Sequence, residues 1–185
     1  MMTEISLNIL DVAENSIRAK ASLIEIVVDA DVMKNRLIVI IKDNGCGMSS
    51  EQLEHATDPF FTTRTTRKVG LGIPFFKMAA LSADGDFEIV SKVGEGTVVR
   101  AEFQLDHIDR MPLGDINGTI YTLVHFNPDI DFCYTYRYGE REFLLDTRQM
   151  REILGGIPLN VPEVSEYIQD YLEENKRDVD GGAIL

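Results

Sequence analysis

Two polar side chains near the start of the chain, Asp11 and Asn15, are four residues apart in "LDVAENSIRA". Residues at positions i and i+4 of a helix share one face, with Cβ atoms about 5–6 Å apart. An amide oxygen and a carboxylate at that spacing could share a hydrated Mg²⁺, which needs only one or two protein oxygens beside phosphates and waters. The solvated face of an ordinary helix is the alternative, and the pair alone leaves both interpretations open.

A second carboxylate, Asp43, ends an apolar run and is followed by Gly45 and Gly47 in "DNGCGM". Glycine allows the backbone to approach a flat ligand closely, because no Cβ intervenes. A fixed carboxylate beside such a turn can accept from an exocyclic amine such as that of adenine. An ordinary Asp-Asn-Gly turn is the alternative.

A cationic segment interrupts this acidic chain between residues 60 and 77, which contain no Asp or Glu. Its basic residues are Arg64, Arg67, Lys68 and Lys77. Within it, Gly70 and Gly72 precede a helix that has Pro74 near its start. Free N–H groups and the positive end of the helix dipole favour an anion there, so the segment could bind a polyphosphate. A solvated loop with a simple glycine cap is the alternative.

The surrounding pattern predicts elements that could position these residues. A helix is expected over 5–19, strands over 23–30 and 36–43, a short helix capped by Ser49, and a helix after Pro74. A hairpin of two strands joined by "VGEG" follows. We therefore expect an α+β fold, a two-layer sandwich of a mixed or antiparallel β-sheet with helices on one face.

Residues 107–185 differ in character, with a charge of −8 against −5 for residues 1–106. The pattern predicts strands at 119–126, 131–138 and 142–146, then two helices and a frayed end over 177–185. We divide the chain into a domain of residues 1–106 and a C-terminal α+β extension of residues 107–185 that is a candidate for partner docking.

Composition bounds the setting of the protein. The net charge of −13 argues against nucleic acid or an anionic membrane as a partner, because both would repel it. The chain has two cysteines, no signal-peptide pattern and no apolar run of membrane-spanning length. We expect a cytoplasmic protein.

Taken in order, five segments resemble the motifs of the GHKL ATPases, the family of gyrase B, MutL and histidine kinases. "DVAENSIRA" resembles the N box, "DNGCGM" the first glycine box, "DPFFTTR" the F box, "GLGI" the second glycine box and "GEGT" the third. The resemblance covers roughly residues 4–105. It implies a Bergerat-type ATP-binding fold with ATP and Mg²⁺ as cofactors.

The resemblance also implies roles for individual residues. Asp43 and Thr97 would contact adenine, Asn15 would bind Mg²⁺, and Asp11 would be the catalytic base. The other residues implied at the nucleotide are Gly45, Gly47, Arg64, Arg67, Lys68, Gly70, Leu71 and Gly72. The chain departs from the family pattern at Asp11, which replaces Glu, and at residues 68–69, which replace Gly-Thr.

These implications favour a stand-alone, kinase-like signalling module that binds Mg²⁺·ATP and phosphorylates or regulates a separate, unknown partner protein. The alternatives are a slow ATPase that uses Asp11 as general base, a module that senses ATP against ADP without chemistry, and a scaffold. A monomer and a homodimer are both left open.

"HIDRMPL" resembles a kinase phosphoacceptor motif at His107, but Pro112 and Gly114 would break a helix there, so we interpret it as a connector.

Overall fold

The computed structural model describes residues 2–58 and 72–185, and its strands form one mixed sheet. The strands are β1 (Leu23–Asp31), β2 (Arg36–Asp43), β3 (Asp86–Lys92), β4 (Gly96–Gln104), β5 (Asp131–Tyr138) and β6 (Arg141–Asp146). Their order across the sheet is β3-β4-β2-β1-β5-β6. The β1–β5 pair is parallel, and the other neighbouring pairs are antiparallel.

Helices cover one face of this sheet. They are α1 (Ile5–Arg18), α2 (Ser50–His55), α3 (Gly72–Ser82), α4 (Ile116–Phe126), α5 (Thr147–Leu154) and α6 (Pro162–Asp180). Alternate residues of β1, from Ile24 to Ala30, are buried, while those between them are partly exposed. Only one face of the strand therefore belongs to the core. The predicted α+β arrangement of a mixed sheet with helices is confirmed.

Several predicted elements occur where the sequence pattern places them. Helix α1 buries Ile5, Ile9 and Val12 on one face. At the start of α2, Ser49 accepts from the backbone N–H of Gln52, whose side chain accepts from the N–H of Ser49. Both halves of the predicted capping box are thus formed. No helix of the described residues is long and apolar enough to cross a membrane.

The strand predicted over 119–126 is wrong, because this segment belongs to helix α4. The Asp115 carboxylate accepts from the N–H of Gly118 and caps the helix. Ile116, Ile120 and Leu123 recur at helical spacing and are buried. The β-branched and aromatic residues of the segment favour a strand locally, but packing against α1 and α6 decides the outcome.

The frayed end predicted over 177–185 is also wrong. Helix α6 continues to Asp180, and the carbonyl of Leu185 accepts from the N–H of Leu113 at 2.8 Å. Asp180 is buried and accepts from the Tyr136 hydroxyl at 2.8 Å and from Lys176 Nζ at 2.6 Å.

The division at residue 106 stays a prediction, and the sheet continues across it because β5 pairs with β1.

Candidate functional site

The Asp43 carboxylate lies at the end of β2 and is held by two donors. The Ser16 hydroxyl, on α1, donates to Oδ2 at 2.6 Å, and the backbone N–H of Gly45 donates to Oδ1 at 2.8 Å. Asp43 is only 8 % exposed. Each carboxylate oxygen has a further lone pair, so the group can still accept from a ligand. The arrangement presents a fixed acceptor at the end of the strand.

Thr97 lies directly opposite Asp43 in the β2–β4 pair, and Ser91 lies opposite Thr97 in the β3–β4 pair. Side chains of directly opposed residues point to the same face of a sheet, with Cβ atoms about 4.5–5.5 Å apart. Asp43, Thr97 and Ser91 therefore form one row across three strands. Their common face is the helix-covered one, because Val99, two residues after Thr97, is in the core.

Two glycines let the turns approach these strand ends. A Cβ on Gly96 would lie 1.9 Å from the carbonyl oxygen of Asp43, and one on Gly47 would lie 2.0 Å from that of Lys92. Both residues also have positive φ angles, 113° and 66°. A Cβ on Gly45 would lie 2.8 Å from Ala19 Cβ. Glycine is thus required sterically where the turns meet Asp43.

The Gly96→Ala variant is expected to lose about 3 kcal/mol of unfolding free energy or more, because the overlap must displace the end of β2. Gly94→Ala is the matched control: Gly94 has a φ of 79° in the same hairpin, but its added Cβ would meet none of the described residues within 4 Å. That variant should lose only about 1 kcal/mol from backbone strain. Urea unfolding measures both, and equal losses would contradict the steric argument.

Helix α1 also carries the predicted residues Asp11 and Asn15. Asn15 precedes Ser16, the residue that holds Asp43, and its Oδ1 accepts from Arg18 Nη2 at 2.6 Å. A Cβ on Gly72 would lie 2.9 Å from Asp11 Cβ. The first residue of α3 therefore packs directly on Asp11. The structure thus places Asp11 and Asn15 on α1, and Gly72 at the start of α3 against Asp11. The other predicted residues lie at or just beyond the adjoining ends of β2 and β4: Asp43, Gly45, Gly47 and Thr97.

The remaining predicted residues cannot be placed. Arg64, Arg67, Lys68, Gly70 and Leu71 lie outside the described residues, so their role at phosphates stays a prediction. His107 lies in a turn after β4, where its Nδ1 accepts from the N–H of Asp109 and its Nε2 is 3.4 Å from an Asp84 carboxylate oxygen. These contacts match a connector.

Sequence reasoning missed three side chains at this site. Ser16 and Ser91 contact Asp43 and Thr97 respectively, and Arg18 contacts Asn15. A signal existed for Ser16, because it falls on the buried arc of a helix where a hydroxyl needs a partner. Ser91 and Arg18 had no such signal, because their roles depend on strand register and side-chain rotamer.

A groove of about 840 Å³ opens beside this row, between α2, Lys77 of α3 and β3. Met48 and Ser91 line it, whereas Asp43 and Thr97 do not. Across the described ranges, no group of three or more His, Cys, Asp or Glu side chains is placed to hold a metal ion. The groove thus adjoins the row at Ser91 and does not include the Asp43–Thr97 pair.

A mixed sheet with helices on one face, and a buried carboxylate among glycine turns at its strand ends, define an α+β protein with the GHKL ATPase fold. The chain belongs to the family of histidine kinase-, DNA gyrase B- and HSP90-like ATPases, whose model matches residues 3–107.

Relatives named as sensor proteins and kinases match about half of the chain. The chain is 36% identical over 107 residues to a Shewanella frigidimarina protein that bears the name of a sensor protein, matching 57% of this chain and 16% of that one. It is 34% identical over 94 residues to the C4-dicarboxylate transport sensor protein DctB of Pseudomonas aeruginosa, and 32% identical over 91 residues to sporulation kinase D of Bacillus subtilis. These matches cover 50% and 49% of this chain but only 15% and 18% of the relatives.

Solved structures extend the similarity in fold. The Aquifex aeolicus MutL ATPase domain, solved with ADP, matches 99% of this chain and 99% of its own with a TM-score of 0.51 at 14% identity. The N-terminal domain of a DNA repair protein matches 78% of this chain and 53% of its own, with a TM-score of 0.54 at 16% identity. At these identities the likeness concerns the fold alone.

Proposed function

We propose that the protein binds Mg²⁺·ATP between α1, the end of β2 and the start of α3, and acts in signalling as a kinase-like module on a separate partner protein. The observation that carries the proposal is the Asp43 carboxylate, which Ser16 and Gly45 hold opposite Thr97. A fixed, buried acceptor of this kind suits the exocyclic amine of adenine. At Gly96 a Cβ would overlap the backbone carbonyl of Asp43, so glycine lets the hairpin that carries Thr97 pack against the end of β2.

The residues of α1 fit a hydrated metal ion. Asn15 Oδ1 is a hard oxygen ligand of the type Mg²⁺ takes, and Asp11 lies one turn away to hold a coordinated water. Asn15 Oδ1 accepts from Arg18 Nη2 at 2.6 Å, and its second lone pair leaves room for a metal ion. Arg18 Nη1 also lies 3.3 Å from Glu14 Oε2, so a phosphate would have to compete with that carboxylate for the guanidinium. Bound Mg²⁺ would neutralise and orient the phosphates.

Titration of the 185-residue chain with ATP tests the proposal. Calorimetry should detect binding in the presence of Mg²⁺, weakened about tenfold or more by a chelator. Asn15→Ala should weaken binding in Mg²⁺ to a similar degree and make it insensitive to the chelator. Asn160→Ala is the control, because Asn160 is exposed and far along the chain from the site. Absence of ATP binding at millimolar concentration would overturn the proposal.

A second candidate function is slow ATP hydrolysis with Asp11 as general base. The close contact of Asp11 with Gly72 favours it, because the start of a helix is where phosphate would bind. Phosphate release by the isolated protein separates the two functions, since a kinase acting on a partner should be nearly silent alone. Loss of that release in Asp11→Asn, with ATP affinity retained, would support hydrolysis. A purely sensing module would show neither release nor transfer with any partner.

A further inference from the structure

We propose that Ser91 fixes the Thr97 hydroxyl as a hydrogen-bond acceptor, so that the site selects a purine with an amino group at position 6 against one with a carbonyl there. The inference rests on the proposed function, because it concerns how the same site reads the base. It assigns a positioning role to a strand residue outside the predicted set.

The Ser91 side chain joins three backbone or side-chain groups around the strand ends. The backbone N–H of Met48, which follows the Asp43 turn, donates to Ser91 Oγ at 2.9 Å. The same oxygen lies 2.9 Å from the carbonyl oxygen of Gly96 and 2.8 Å from Thr97 Oγ1. The hydroxyl is partly buried, and all three of these contacts are within hydrogen-bond distance.

The number of protons decides the direction of each bond. A serine hydroxyl has one proton and two acceptor lone pairs. Met48 N–H uses one lone pair, and the carbonyl of Gly96 can only accept, so it takes the proton. The Thr97 hydroxyl must then donate to the second lone pair of Ser91. This assignment satisfies every group, and it leaves Thr97 with only lone pairs for a ligand.

Two acceptors then stand side by side on the same face, since the Asp43 carboxylate also lacks a proton to donate and lies directly opposite Thr97. An amino group offers two N–H donors and can serve both. A carbonyl oxygen at the same position would face acceptors and lose its hydrogen bonds to water without replacement, which is costly in a buried site. Ser91 therefore contributes to base selection through Thr97.

The test compares dissociation constants for ATP and inosine 5′-triphosphate, which has a carbonyl at position 6. The unaltered chain should prefer ATP. Ser91→Ala frees Thr97 to rotate and donate to that carbonyl, so the ATP preference should fall about tenfold. Ser91→Thr keeps a hydroxyl and should restore most of the preference. Ser82→Ala should leave the preference unchanged, because Ser82 is an exposed serine on α3 whose hydroxyl donates to the Ala79 carbonyl.

A double-mutant cycle shows whether Ser91 acts through Thr97. Thr97→Val keeps the shape of the side chain and removes the second acceptor, so it should lower the preference by itself. Adding Ser91→Ala to it should then change nothing further. The Thr97→Val arm also decides the matter if Ser91→Ala does not fold, because an unchanged preference in Thr97→Val overturns the inference.

The outcomes separate this inference from the function beneath it. If the unaltered chain binds no ATP, the proposed function fails and the inference fails with it. If the chain binds ATP but Ser91→Ala keeps the full preference, only the inference is overturned. Additive effects of the two substitutions would show that Ser91 does not work through Thr97, and would also overturn it.

Discussion

Replacing Asp43 with Asn should lower ATP affinity about 100-fold or more, the largest effect on binding that we expect. Ser16 and the N–H of Gly45 donate to different carboxylate oxygens, so an amide must turn its NH₂ group towards one of these donors. The change therefore disturbs the internal bonds that fix the side chain and also weakens its acceptance from adenine. Because Asn is nearly isosteric with Asp, the fold should be retained.

Calorimetry and thermal unfolding of Asp43→Asn measure affinity and folding on the same sample. Asp86→Asn is the matched control, because Asp86 is an exposed aspartate at the start of β3. Its ATP affinity should equal that of the unaltered chain. Undiminished ATP affinity in folded Asp43→Asn would show that the Asp43 carboxylate does not bind the adenine base.

Replacing Asp180 with Ala should lower the unfolding free energy by about 3 kcal/mol, the largest effect on stability that we expect from removing one side chain. The buried carboxylate accepts from the Tyr136 hydroxyl, from Lys176 Nζ and from the backbone N–H of Gly182. Its removal leaves the tyrosine hydroxyl and the lysine without their acceptor. Denaturant unfolding should show this loss, whereas Asp178→Ala, an exposed aspartate on the same helix, should stay within about 0.5 kcal/mol. A similar loss in both variants would contradict it.

The same carboxylate makes stability depend on pH. Burial acts to raise the pKa of Asp180, but the hydrogen bonds from Lys176, the Gly182 N–H and Tyr136 outweigh it, so the pKa is lowered. A lowered pKa in the folded state contributes stability that is present above the ordinary aspartate pKa of 3.8 and is lost as the pH falls through the folded-state value. The stability difference between the unaltered chain and Asp180→Ala should therefore shrink below about pH 4. A difference that stays constant down to pH 2 would rule this out.

The half of the fold that the family model matches, residues 3–107, could be predicted from the sequence because its signals are local. Alternating burial in β1 and β2, the capping box at Ser49 and the glycine hairpin before Thr97 each report directly on backbone conformation. The site was predicted only as a set of residues. Two of its contacts, Ser16 to Asp43 and Ser91 to Thr97, link residues 27 and 6 positions apart. The first depends on how α1 packs on the sheet, and the second depends on the register of β3 with β4.

The second half was harder to predict because tertiary packing overrides local preference there. The segment of α4 is rich in residues that favour strands, and the Asp115 cap just before it was overlooked. The end of the chain is polar and glycine-rich, which is typical of fraying, yet it is held by Asp180. That contact requires Tyr136 of β5, 44 residues away, so no local pattern could reveal it.

The parallel partnership of β1 with β5 runs along the whole of Leu23–Ala30, and it limits how the protein can be dissected. A truncation near residue 106 would keep every sequence motif of the ATPase family but would remove β5, so that one edge of β1 would be left without a paired strand. The exposed row of unpaired backbone groups would be a template for association between copies. Such a fragment would be unsuitable for nucleotide-binding measurements. Aggregation during its preparation would not show whether the unaltered chain binds a nucleotide.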